Sequence, residues 1–325
     1  MVSVAMCTYN GERYLAKQLE SISLQTQGVD ELVVCDDGST DNTISLLQEF
    51  AQNAPFKVLI HRNGTNLGST RNFEKALSLC TGDILILCDQ DDIWKPDKVR
   101  KQVAFFEQNP DQDAVFSNAD LINGKGEKLG HKLWDNFGFD EEKQQLWRSG
   151  RAREILFQGY VVTGATLAIR KSALRYLTPF PTDIGPYIHD AWIALVTSLN
   201  NRIGFIDECL ISYRVHEKQQ VGFGEKLKPV TLKDRLSRKR EEKLAPLVEK
   251  ADLLHRLYEA LQAVEGVNPQ SLSQLRDIQQ HFQVRATLPA SRLLRLVPAL
   301  RELKSGRYAF SSKDWWLPLL GDLFE

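Results

Sequence analysis

Residues 84–92 read Ile84-Leu85-Ile86-Leu87-Cys88-Asp89-Gln90-Asp91-Asp92. Five apolar residues in succession, two of them β-branched, suit a strand buried on both faces, which is how strands of a parallel sheet read. The run then stops on three carboxylates within four residues. At the edge of an apolar core these groups repel one another, and each uncompensated charge is expensive. A divalent cation relieves that cost. Oxygen ligands suit Mg2+ or Mn2+, which usually complete their shells with substrate phosphates. The competing reading is a solvated acidic loop.

Working outward from this stretch, short apolar runs at residues 2–7, 32–35, 57–62 and 114–118 read as further strands. Between them lie segments of period 3.6: residues 14–25 carry Leu15, Leu19 and Ile22 on one face, residues 43–51 carry Ile44, Leu47 and Phe50, and residues 72–80 carry Phe73, Ala76 and Leu77. Strands alternating with helices of this length predict βαβ units, an α/β fold and a mostly parallel sheet, with ligand sites at the carboxyl ends of the strands. Asp41 is the expected N-cap of the second helix. Residues 120–141 are polar and glycine-rich, a hairpin or mobile loop. Beyond them come an apolar run at 165–169, a helix at 190–198 and a strand pair at 203–207 and 210–213. Helical patterns fill 232–261, 271–282, 293–300 and 314–324. A boundary near Glu225 therefore separates an α/β domain, residues 1–225, from a mainly helical region, residues 226–325.

The 325-residue chain carries 42% hydrophobic and 26% charged residues, which excludes disordered, collagen-like and disulfide-scaffold classes. A net charge of −1 gives no reason to expect a nucleic-acid partner. The charge is unevenly placed, with 18 Lys and Arg against 12 Asp and Glu in residues 226–325 and 23 against 30 before them. No apolar run reaches the ~18–20 residues that cross a bilayer, and no basic leader precedes the first strand, so the expectation is a cytoplasmic protein. The five cysteines contain no CxxC pair, which suggests a reducing compartment and no zinc site.

Two further constellations carry chemistry. Asp36-Asp37-Gly38-Ser39 follows the strand at 32–35, where two carboxylates are placed to accept hydrogen bonds from a ligand, or where one of them caps the next helix. His189-Asp190-Ala191-Trp192 opens a helix. A carboxylate there is stabilised by free backbone N–H groups, which makes an ordinary N-cap the alternative to a chemical role.

Taken in order, Val4-Ala5-Met6-Cys7-Thr8-Tyr9-Asn10-Gly11, the DDGSTD of 36–41, Asn66-Leu67-Gly68, Thr81-Gly82-Asp83 and the CDQDDIW of 88–94 resemble the family-2 glycosyltransferases with their GT-A fold, most closely the rhamnosyltransferase-type members. The resemblance spans about residues 2–220. It implies that Thr8, Tyr9, Asn10 and Glu12 lie against the nucleotide, that Asp36 and Asp37 hold its base and ribose side, and that Asn66, Gly68 and Arg71 line the same pocket. Asp89, Gln90 and Asp91 match the DxD segment, with Asp91 the closer metal ligand. Asp190 matches the family's acidic base, which takes the proton of the acceptor hydroxyl. Gly164, His189 and Trp192 fall on the acceptor side. Tyr213-Arg214-Val215-His216 resembles the YRxH segment, making His216 a further metal ligand and Arg214 a contact for the leaving phosphates.

The implied reaction is a one-step inverting transfer from a dTDP- or UDP-sugar, dTDP-β-L-rhamnose being favoured, to a surface polysaccharide such as an O-antigen or to a lipid-linked glycan. Two alternatives stand beside it. A sugar-phosphate nucleotidyltransferase would carry a Gly-rich basic loop after the first strand, which Thr8-Tyr9-Asn10-Gly11-Glu12 is not. A non-catalytic scaffold of a polysaccharide assembly complex would not need Asp89, Asp91 and Asp190 intact. The basic and apolar residues of 232–240, 291–297 and 315–320 suit either peripheral contact with an anionic membrane surface or packing against the catalytic domain or a second subunit of a homodimer.

Overall fold

The computed structural model describes residues 1–217, 240–310 and 314–324. The chain divides into two compact units, Met1–Phe223 and Gly224–Glu325. The expected boundary near Glu225 and the basic stretch at 232–239 lie outside the described residues.

The first unit begins with three repeats of strand and helix and a fourth strand: β1 (Val2–Thr8), α1 (Leu15–Ser23), β2 (Glu31–Asp36), α2 (Thr43–Asn53), β3 (Lys57–Arg62), α3 (Ser69–Leu79) and β4 (Ile84–Cys88). β5 (Ile93–Trp94), α4 (Lys98–Gln108), β6 (Ala114–Ile122) and β7 (Lys128–Lys132) follow, then the short helices α5 (Leu133–Phe137), α6 (Glu141–Leu146) and α7 (Ala152–Leu156). The unit closes with β8 (Ala168–Arg170), α8 (Leu174–Leu177), α9 (His189–Leu199) and β9 (Ile203–Arg214). The nine strands form one sheet in the order β3-β2-β1-β4-β8-β6-β9-β5, with β7 paired to β6.

β3, β2, β1 and β4 are mutually parallel. Their side chains alternate between two faces, and both faces are covered. Val4, Met6, Leu32, Val34, Ile86 and Cys88 join Leu15, Leu19 and Ile22 of α1 and Leu47 of α2 in one core cluster. The intervening Ala5, Val33, Cys35, Leu85 and Leu87 are equally buried, on the side where α3 packs with Phe73, Ala76 and Leu77. Each buried Val, Leu, Ile, Met or Phe among them contributes about 1.5–3 kcal/mol. The far half is mixed, because β8 runs antiparallel to both β4 and β6.

Three local expectations change. Residues 203–214 form one long strand rather than a pair, because Asp207, Glu208 and Leu210 bulge where the β6–β9 register shifts around Asn118. The polar stretch 120–141 does turn back as a hairpin, yet its second half is helical: Leu133 and Trp134 are buried and so pull α5 onto the core. α2 starts one residue after Asn42, although Asp41 still caps its end by accepting from the Thr43 N–H at 3.0 Å.

In the second unit, α10 (Arg240–Gln262) packs on α11 (Pro269–Ala286) through Ala251, Leu254, Leu257 and Leu261 on one side and Leu275 and Ile278 on the other. α12 (Arg292–Lys304) and α13 (Trp316–Phe324) complete it.

Candidate active site

The strand order reverses at β1, since β2 lies on one side of it and β4 on the other. A crevice opens outside the carboxyl ends of strands at such a switch point. The register sets Thr8 beside Asp36 and Met6 beside Cys88. The loops after β1, β2 and β4 therefore emerge along one edge. Gln90 locks two of them together: its Oε1 accepts from the Tyr9 N–H at 2.9 Å and its Nε2 donates to the Tyr9 carbonyl at 3.0 Å. A Cβ on Gly11 would collide with Gln90 Oε1, so a side chain there would displace the amide that ties the two loops.

The three carboxylates after β4 have three different environments. Asp92 is buried, and its Oδ1 accepts from the Arg214 N–H at 2.9 Å while Oδ2 has no hydrogen-bond partner. Burial, with the charges of Asp91 and Asp89 adding to it, pushes its carboxyl well above the usual range. Asp89 is pushed up to about 8, by burial first and then by Asp91 and Asp190. Asp91 instead pairs with His216, whose Nε2 lies 2.8 Å from its Oδ2. Beneath the cluster lies Lys98, wholly buried, with its ammonium 3.1 Å from the Ala165 carbonyl and 4.9 Å from the Trp94 ring centroid. Burial draws its pKa down to about 8 against the opposing pull of Cys88, Asp92 and Asp89.

Among the described residues no three His, Cys, Asp or Glu side chains converge to hold a metal ion by themselves. The Asp91–His216 pair offers two adjacent ligands of the oxygen and nitrogen type, which fits a cation that takes its other ligands from water and substrate phosphate. Arg214, expected at the phosphates, is engaged by the chain itself. It is 2% exposed, its Nε donates to the Asp91 carbonyl at 2.7 Å and its Nη1 to the Asn123 carbonyl at 3.0 Å. Its guanidinium lies 4.5 Å from the Tyr14 ring centroid, and the His216 ring stands 5.0 Å from that same ring. Arg214 thus sets the backbone of the acidic loop, and Tyr14 fills the space between it and His216.

On the other side of β1, Asp36 and Asp37 are both buried and both engaged by the chain itself. Asp36 accepts from Thr8 Oγ1 at 3.0 Å, from the Ser39 N–H at 2.9 Å and from the Ser39 hydroxyl. Asp37 accepts from the Leu67 N–H at 2.7 Å, the Gly68 N–H at 2.9 Å and Asn63 Nδ2 at 2.8 Å. These bonds draw the loop before α3 over the end of β2. Gly68 there has φ +76°, a conformation that favours glycine. Asn66 Nδ2 donates to the Asp37 carbonyl at 3.1 Å. Asn10, itself at φ 49°, accepts from the Thr40 N–H, and Glu12 accepts from the Asn42 N–H at 3.0 Å. Arg71 pairs with Glu74 at 2.7 Å on the exposed face of α3. Tyr9 projects from the edge with half its surface in solvent.

α9 closes the remaining side. Asp190 Oδ2 accepts from the Gly164 N–H at 2.9 Å, and its charge is among those that raise Asp89. His189 is buried and stacked on Phe73 with ring centroids 4.2 Å apart. Burial holds it below the usual histidine range despite the Asp190 charge, which favours the neutral ring. A Cβ on Gly164 would stand 2.9 Å from His189 Nε2, so only glycine permits this approach of α9. Trp192, expected on the acceptor side, is instead a core residue: it is 3% exposed and its Nε1 donates to the Leu177 carbonyl at 2.9 Å.

Sequence reasoning missed Lys98 and Tyr14. The signal available for Lys98 was a lysine on the apolar side of α4, beside Val99 and Gln102 and one turn before Val103; a burial pattern of that kind marks a charge with a partner.

The model of glycosyl transferase family 2 matches residues 3–178. An uncharacterised glycosyltransferase of Nostoc sp. is 28% identical over 216 residues, or 66% of this chain and 65% of its own length, so the match spans less than two thirds of that relative. Among solved structures, S. aureus TarS 1-349 superposes with a TM-score of 0.54 at 16% identity, covering 99% of this chain and 79% of that one. Mannosyltransferase PcManGT from Pyrobaculum calidifontis, solved in complex with GDP-Man and Mn2+, gives 0.52 at 18% identity, covering 99% and 85%. At such identities the likeness is one of fold, and it is the GT-A arrangement.

Proposed function

We propose, because the chain belongs to glycosyl transferase family 2, that its acidic crevice performs an inverting sugar transfer from a nucleoside-diphosphate donor to a glycan hydroxyl. The observation that carries this reading is the Asp91–His216 pair, 2.8 Å apart, in the acidic loop that follows β4 beside the switch point of the sheet, with Asp190 at the start of α9. Asp91 with His216 suits a cation at the pyrophosphate end of a donor, and the separate carboxylate of Asp190 suits the attacking hydroxyl.

Asp91 and His216 would hold a Mg2+ or Mn2+ ion, which when bound neutralises charge that builds on the departing diphosphate. PcManGT, with its GDP-Man and Mn2+, is a precedent for that pairing on this fold. Asp190 accepts the proton of the acceptor hydroxyl through whichever oxygen is freed from the Gly164 and Ala191 N–H groups, which meanwhile fix its orientation. The neutral His189 ring, stacked on Phe73, walls the acceptor side without competing for that proton. Thr8, Tyr9, Asn10, Glu12, Asn66, Gly68 and Arg71 form the rim around the nucleotide, with Asp36 and Asp37 holding that rim in shape and Gln90 tying it to the acidic loop. Arg214 supports the acidic loop from below.

The favoured donor is dTDP-β-L-rhamnose and the favoured acceptor a surface or lipid-linked glycan, as the motif style of CDQDDIW, HDAW and YRVH suggests. The test is release of nucleoside diphosphate from a panel of dTDP-, UDP- and GDP-sugars with and without Mn2+ or Mg2+. Asp91→Ala is expected to remove metal-dependent donor binding, and Asp190→Asn to remove transfer while sparing it. Near-native turnover by Asp190→Asn would overturn the assignment of the base.

A further inference from the structure

The second unit is built inside out at its far end. In α12, Arg295, Ala299 and Glu302 face inward and are buried, whereas Leu293, Leu294, Leu296, Val297 and Leu300 are exposed, Leu293 to 78%. α13 repeats the inversion: Asp322 is buried, and Trp316, Leu320 and Phe324, spaced four apart on one side of the helix, are exposed along with Trp315. The two helices pack against each other.

What stabilises this inversion is a satisfied polar interior. Arg285 Nε donates to Asp322 Oδ2 at 2.7 Å, and the Tyr308 hydroxyl donates to the same oxygen at 2.8 Å. Arg295 Nε donates to the Pro289 carbonyl at 2.7 Å and its Nη2 to the Ala290 carbonyl at 3.0 Å. Glu302 shares a 2.7 Å hydrogen bond with His281 Nδ1 and accepts from Arg307 Nη1 at 3.1 Å. Helices of a water-soluble unit turn their apolar stripe to the core. Here the charged residues have taken the core and the leucines are left outside, so the arrangement makes sense only if the outer surface meets something apolar.

We propose that this outer surface of α12 and α13 docks onto an anionic membrane surface, with both helices lying in the plane of the headgroups. Charge complementarity selects that occupant. The exposed ionised residues of α12 are Arg292, Arg301 and Lys304, all cationic, while its single acid, Glu302, is buried. Cationic residues flanking an apolar stripe are the pattern of interfacial helices on anionic lipid, and adjacent tryptophans suit the headgroup level. Among the described residues no helix is long and apolar enough to cross a membrane, and the exposed stripe from Leu293 to Leu300 extends only about 10 Å. The proposal does not rest on the sugar-transfer reading.

The test is flotation of the full-length chain with phosphatidylcholine vesicles, with and without roughly one third phosphatidylglycerol. The expected result is flotation with the anionic vesicles, weakened at high salt, and at least a tenfold loss of bound fraction for Leu293→Glu/Val297→Glu/Leu300→Glu. A second variant, Arg292→Glu/Arg301→Glu/Lys304→Glu, alters only exposed charges and should lose binding to anionic vesicles as well. Circular dichroism and nucleoside-diphosphate release from donor in solution should be unchanged in both, which separates membrane binding from the activity. A wild-type chain that stays with the protein fraction, or variants that float like the wild type, would overturn the proposal. So would a dimer in light scattering that the leucine variant dissolves in the absence of vesicles, since the occupant would then be a second copy.

Discussion

Asp89→Asn should make the protein more stable and, on the proposed role of the acidic crevice, weaken sugar transfer. The Asp89 carboxyl is pushed up to about 8 by burial and by the charges of Asp91 and Asp190. A folded-state pKa above the unfolded value of ~3.9 means that the native chain binds more protons than the unfolded one, so stability falls as pH rises from 4 through 8. Carried in full by the folded state, the shift would cost about 4 kcal/mol at pH 7. The side chain is only half-buried, and screening by solvent leaves about 1–2 kcal/mol. Asparagine keeps the shape and removes the charge. The variant should therefore melt higher than the wild type by about 2–4 °C for each kcal/mol regained. The gap should widen steadily between pH 5 and 8 and vanish below pH 4. Differential scanning calorimetry at four pH values measures it directly. A variant that melts lower than the wild type at pH 8, or a gap independent of pH, would refute the electrostatic account of the crevice. Mn2+ with a nucleotide should close the gap by stabilising the wild type alone through mass action.

Lys98→Met should cost about 2–4 kcal/mol, because it removes a buried cation that offsets Asp89 and Asp92 while keeping the side-chain volume; unchanged stability in urea titration would show that the ammonium compensates nothing. Gly164→Ala places a Cβ 2.9 Å from His189 Nε2 and 3.5 Å from Asp190 Oδ2. Transfer should fall at least tenfold, a loss of about 1.4 kcal/mol in the barrier, with donor affinity retained; equal losses in both would place the glycine outside the acceptor side. His189 and His281 are both held below the usual histidine range by burial. Each therefore contributes stability that is complete above pH ~6.5 and declines as pH falls below it. A thermal-shift profile that stays flat from pH 7.5 to 5.5 would contradict this.

The sequence was legible wherever the deciding interactions are local. The strand at 84–88 and its acidic end, the 3.6-period helices and the loop signals at Asp36 and Asp190 each follow from residues within a turn or a pleat of one another. Those segments therefore took their places in the sheet nearly as read. The same locality failed at Trp134, where burial against the far end of the sheet made a helix out of a polar stretch. It failed again at Trp192, whose indole N–H found the Leu177 carbonyl within the core.

Periodicity and charge alone thus determined an α/β sheet with carboxylates at its strand ends, because a strand's burial and a helix's stripe are written in neighbouring residues. Only the tertiary structure decided which of those carboxylates pair. His216 meets Asp91 across 125 positions, and Lys98 donates to the Ala165 carbonyl 67 positions away. The same holds for α12, whose stripe was visible but whose direction was not. An amphipathic helix states that it has two faces, and which of them turns inward depends on whether the charged face finds partners, as Arg295 and Glu302 do.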